Sequence, residues 1–244
     1  METKLAELVS RLKEAAGKNL ESVILYGSAA RNEFRPGSSD LNVLCTLVQI
    51  DLREMQLLAP AVNWWTTEMK EPAPLFFLTE ELQRSTDVFA IESLDLKRSH
   101  RVLCGKDVVA DLEIPMNLHR VELEHELRLL LLRLRQHAVH AGRNEMELLA
   151  IGKRSVASAL TLLRHTLLAC GEEPPQGAKK IFARIEALTG ASAAAFARIY
   201  DLHETGLMQG DSFTAYDAFM HAVEKVVATL DGLMPKREWK RVSA

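Results

Sequence analysis

The chain has only three cysteines, Cys45, Cys104 and Cys170, and no two of them form a CxxC pair. Isolated thiols exclude a disulfide framework and a cysteine-based zinc site, and they fit a reducing cytoplasm. Long apolar runs are missing too. The longest, such as Leu129 to Leu132, stop at arginines well short of the ~20 residues that a bilayer span requires, so no membrane partner is expected. The start, Met1-Glu2-Thr3-Lys4, leads into an amphipathic helix pattern instead of a cationic segment followed by an apolar one, which argues against a secretory signal. A large charge of one sign is also absent. Thirty Lys and Arg stand against 33 Asp and Glu, and a net charge of -3 argues against broad nucleic-acid binding. No internal repeat or low-complexity tract is present. What remains is an ordinary globular composition, 48% hydrophobic and 26% charged over 244 residues, enough for one large core or two small ones.

Periodicity divides the chain in two. Leu5, Leu8, Val9 and Leu12 recur at helical spacing within residues 3 to 17, with Gly17 as the stop. Ser22 to Tyr26 reads as a short buried strand, Gly27-Ser28 as a turn, and Arg35-Pro36-Gly37-Ser38-Ser39 as a loop. Leu41 to Val48 is almost continuously apolar and predicts a central strand covered on both faces. A helix is expected over 51 to 68, closing with Trp64-Trp65, then a strand at Leu75 to Leu78 after Pro72-Ala73-Pro74. Thr79 is expected to cap a helix, Ala90 to Leu96 to form a strand, and Val102 to Gly105 a last extended piece. After Pro115 strand signals nearly vanish. Five helical stretches follow, at about 118 to 140, 145 to 170, 176 to 188, 192 to 206 and 213 to 233, with Ser212 a candidate cap. Short connections make them an antiparallel bundle. The expected organisation is an α/β domain over 1 to 115 with a small mixed sheet, an all-α bundle over 116 to 235, and a basic tail over 236 to 244.

One stretch carries chemistry. Strand, Gly27-Ser28, a gap of eleven residues and then Asp40-Leu41-Asn42-Val43 place a glycine turn beside polar side chains two apart on the next strand, hence on one face. A glycine lets backbone approach a phosphate, and a serine hydroxyl with backbone N–H groups can donate to phosphate oxygens. Acids at i and i+2 can hold Mg²⁺, which favours oxygen ligands and bridges to phosphates.

The stretch resembles the nucleotidyltransferase superfamily that includes DNA polymerase beta, the minimal nucleotidyltransferases and the aminoglycoside nucleotidyltransferases. Their pattern of apolar residue, Gly-Ser, a gap and Asp-apolar-acid-apolar is matched at every position except the second acid, which here is Asn42. A third acid on a later strand is part of the resemblance. Ile91-Glu92-Ser93-Leu94-Asp95-Leu96 has that texture, and Glu92 is the better match; strand alternation would put Glu92 and Asp95 on opposite faces.

The resemblance implies transfer of a nucleoside monophosphate from NTP to a hydroxyl on a small-molecule or protein acceptor, in a cleft between the two domains. In that scheme Asp40 is the main metal ligand, Asn42 a weak second and Glu92 a ligand or base. Gly27, Ser28, Arg31 and Ser39 would line the nucleotide site, and self-association into a homo-oligomer stays open. Asn42 sets up the competing reading. Its amide removes a charge worth roughly 4 kcal/mol at 4 Å and an effective dielectric of 20, enough to cost most of a second metal's occupancy. The alternative is a catalytically degenerate protein that acts as a nucleotide-binding or protein-interaction module.

Other motifs carry less. Ser10-Arg11-Leu12-Lys13 spells SxxK without the partner motifs of serine acyl transfer, and Gly152-Lys153 lacks P-loop spacing. Arg135 to His140 has the Arg-x4-His spacing of HEPN ribonucleases, a short pattern that reads as helix surface. Lys153-Arg154 and Lys179-Lys180 are candidates to meet phosphates or an acceptor, against the blander reading of solvated helix faces.

Overall fold

The computed structural model describes residues 1–30, 40–208 and 210–233, without the side chain of Ser28. Arg31, Ser38, Ser39 and the tail over 236 to 244 lie outside the described residues. Two compact units are present, Met1–Leu118 and His119–Ala244.

The first unit is built on a four-stranded mixed sheet in the order β3-β2-β1-β4. Strand β1 (Leu20–Tyr26) pairs antiparallel with both β2 (Asn42–Leu47) and β4 (His100–Gly105), and β2 pairs parallel with β3 (Leu75–Leu78). The apolar run on β2 is thus explained: the strand is interior and covered on both faces. On one face Val23, Leu25, Val43 and Cys45 pack under α1 (Glu2–Ala16) and α2 (Leu52–Asn63), with Leu8, Leu12 and Leu58 among the fully buried side chains. On the other, Ile24 and Leu44 meet Leu82 of α3 (Thr79–Arg84), Leu96 of α4 (Ala90–Arg98), and Val109 and Leu112.

Three expectations need correction here. Ala90 to Leu96 forms no strand; it is the body of helix α4, which buries Ala90, Ile91, Ser93 and Leu96. Helix α2 ends at Asn63, and Trp64–Glu68 widens into a π turn just after Pro60, whose missing N–H weakens the regular ladder. There Trp65 is fully buried and its Nε1 donates to the Pro72 carbonyl at 2.8 Å. Thr79 does not cap α3, since the cap position is Leu78 and its N–H bonds to Glu81 at 3.2 Å, while the Thr79 hydroxyl donates to Glu21.

The second unit holds the rest of α5 (Met116–Ala141), then α6 (Glu145–Ala169), α7 (Ala178–Thr189), α8 (Ala193–Thr205) and α9 (Ser212–Gly232). Asn144, Ser192 and Asp211 cap α6, α8 and α9 by accepting from the backbone N–H three residues on. Asp211 takes the role expected of Ser212, which is buried and donates to Glu145 at 2.6 Å. Phe196 bridges the core, stacked on Phe182 and edge-on to Phe219. The Tyr216 hydroxyl donates to the Leu134 carbonyl at 2.9 Å, tying α9 to α5.

Candidate functional site

Strand β1 ends at Tyr26, and the chain turns through a single 3₁₀ turn at Gly27–Ala29, closed by Ala30 N–H to the Gly27 carbonyl at 3.1 Å. Gly27 has φ +80°, a region that disfavours any side chain. A Cβ placed there would also lie 3.2 Å from Nδ2 of Asn42, so the glycine is fixed twice over. Asn42 opens β2 directly opposite Tyr26, and Tyr26 faces His100 of β4 on its other side. Asn42, Tyr26 and His100 therefore form one row across the end of the sheet nearest the turn. His100 is held there by its own contacts, Nδ1 to the Leu96 carbonyl at 3.0 Å and Nε2 to Asp107 at 3.1 Å. That hydrogen bond, together with the Val109 and Ala110 N–H groups, keeps the Asp107 carboxyl below its ordinary pKa.

Asp40 is exposed and precedes the strand. Its neighbour Leu41 is buried, and the Leu41 N–H donates to the Glu71 carboxylate at 2.9 Å. The other Glu71 oxygen meets Lys4 Nζ at 3.1 Å. Glu71 thus fixes the backbone between Asp40 and Asn42 from the chain that leads into β3. Sequence reasoning missed it; a lone acid before Pro72 carries no motif, and only the pairing of β3 with β2 brings it close.

Glu92 stands exposed on α4, a helix where a strand was expected. Leu96, one turn along, packs against Ile24 and Leu44 on the sheet face that Tyr26 shares. Burial first, and the Glu92 carboxylate second, push the Tyr26 phenol above its ordinary pKa. The helix therefore still delivers this acid to the neighbourhood of the Asn42–Tyr26 row.

The donor set is one charge short for a pair of Mg²⁺ ions, because Asn42 supplies an amide where an acid would supply a carboxylate. The three positions named for metal supply the exposed Asp40 carboxylate, the Asn42 amide and a helix-borne Glu92, and among the described residues no three His, Cys, Asp or Glu side chains gather as a ligand set. Mg²⁺ beside phosphates is bound through carboxylates at near-octahedral geometry, and here Asp40 and Glu92 supply carboxylates while Asn42 supplies a neutral amide oxygen.

A scan against models of protein families matches none to this chain, and a search of curated proteins finds no match either. Among solved structures, spectinomycin adenyltransferase AAD(9) from Enterococcus faecialis, determined with ATP and spectinomycin, superposes with a TM-score of 0.58 at 14% identity. The match covers 95% of this chain and 99% of that one, so both the α/β part and the helices take part. The chain has a nucleotidyltransferase-like α/β domain with a small mixed sheet, followed by a helical region.

Proposed function

We propose that the first unit binds a nucleoside triphosphate at the Gly27–Ala29 turn and that it lacks the charge for efficient nucleotidyl transfer. The observation that carries this reading is the Asn42 amide, set opposite Tyr26 with its nitrogen against Gly27. A carboxylate at that place repels a triphosphate unless a cation lies between them. An amide N–H donates to a phosphate oxygen directly, so the site trades a metal ligand for a phosphate donor. Backbone N–H groups of the turn, with Ser28, Arg31 and Ser39, complete the cradle in this reading. The ATP in the spectinomycin adenyltransferase structure supports a nucleotide as the ligand class.

A second reading, Mg²⁺-dependent transfer to a hydroxyl acceptor, is favoured by Asp40 and by Glu92, whose charge reaches Tyr26. In it Glu92 takes the hydroxyl proton. The Asn42→Asp variant separates the two. With ATP, Mg²⁺ and a panel of small hydroxyl acceptors, the proposal expects pyrophosphate release in N42D at least about tenfold above the natural chain, equivalent to about 1.4 kcal/mol of barrier. Acceptor-dependent release by the natural chain, above background and equal to that of N42D, would instead establish the transferase.

A further inference from the structure

Within the second unit, α5 and α6 face each other across a groove of about 190 Å³. One stripe of each helix lines it. On α5 the positions are 126, 130, 133 and 137; on α6 they are 151, 154, 155, 158 and 162, both at helical spacing. Leu130, Ile151 and Leu162 form the floor, each 7% exposed. Positions that would seal a helix pair with further apolar packing instead carry Arg133, His137, Arg154 and Ser158. Elsewhere in this unit Arg120, Arg128, Arg135 and Arg184 each meet a carboxylate, while Arg143 and Arg198 stand without a partner among the described residues and outside this groove. Arg133 and Arg154 have no ion-pair or hydrogen-bond partner among the described residues. The acid at the groove is Glu126, itself 3.4 Å from His125. Ser155 bonds back to the Ile151 carbonyl at 3.0 Å, which leaves Ser158 as the groove hydroxyl with no hydrogen bond among the described residues.

Two unpaired guanidinium groups, an imidazole and a hydroxyl over an apolar floor form an arrangement that attracts anions. Guanidinium groups present flat forks of donors that match phosphate oxygens, and they bind such groups more strongly than point charges do. The volume suits a phosphate or diphosphate group better than a whole nucleotide. We infer that this groove is a second ligand site, specific for a small phosphate-bearing anion, with Arg133 and Arg154 as its principal donors and Ser158 as an additional one. It does not depend on the nucleotide reading of the first unit.

Pyrophosphate is the probe, titrated calorimetrically into the full chain without divalent ions. The R133A/R154A double variant changes two exposed side chains, so it should keep the natural melting temperature while binding weakens at least tenfold. Glu126→Gln removes a repelling charge and should tighten binding. Asn42→Asp, which alters only the first unit, should leave this binding component in place. Absence of saturable pyrophosphate binding in the natural chain, equal binding in R133A/R154A, or loss of all binding in N42D would each overturn the assignment.

Discussion

Asn42 is the residue on which the proposed function turns, and the residues that fix its backbone are equally informative. Glu71 is the main one. Its carboxylate accepts the Leu41 N–H and pairs with Lys4, and its side chain is only 10% exposed. Glu71→Ala strands a backbone donor next to the buried Leu41 and should cost about 2 kcal/mol of stability in urea unfolding, with weakened ATP binding alongside. Glu71→Gln keeps an acceptor for Leu41 and should recover most of that loss. Cys45 gives a pH test at the same scale. Burial, and secondarily the charge of Cys104, push its thiol from 9.0 up to about 12. The unfolded thiol ionises first, so this contribution is intact below pH 9 and is lost as pH rises toward 12, by up to about 1.4 kcal/mol per pH unit. Between pH 8 and pH 10 the natural chain should therefore lose about 1 kcal/mol more stability than Cys45→Val, read by urea unfolding at each pH.

At the scale of elements, caps and patterns decide how much can be read in advance. Asn144 starts α6 by accepting from Glu147 N–H, and Asn144→Ala should cost about 1 kcal/mol in thermal or urea unfolding. Strands β1, β2 and β3 and the five helices of the second unit were legible because their apolar spacing is clean and glycine or proline marks their ends. Helix α4 was not. Only Leu94-Asp95-Leu96 alternates like a strand in this stretch, and the buried Ser93 hides the helical face from a hydrophobicity pattern. What decides the matter is tertiary: Leu96 must reach Ile24 and Leu44 on a sheet whose β1 edge is already taken by β4. The cap positions differ for a similar reason. Thr79 and Ser212 are both plausible caps by residue type, but Thr79 is drawn off by Glu21 and Ser212 by Glu145, contacts that lie 58 and 67 residues away.

At the scale of the whole molecule, a net charge of -3 averages over unlike regions. It conceals a groove in the second unit whose arginines outnumber its acids, while the first unit presents the exposed Asp40 and Glu92 carboxylates. The glycine turn, Asp40 and Asn42 could be named from the sequence because they fall within one local motif. Glu71 and the basic groove could not, since each depends on chain segments that only folding brings together. In the proposed function the nucleotide is held by donors, Asn42 among them, without a metal bridge. The most direct test is equilibrium binding of ATP to the natural chain in EDTA and in Mg²⁺, alongside Asp40→Ala. Donor-held ATP binds with affinities within about twofold under both conditions and without loss in D40A. Binding that appears only with Mg²⁺ and vanishes in D40A would contradict it.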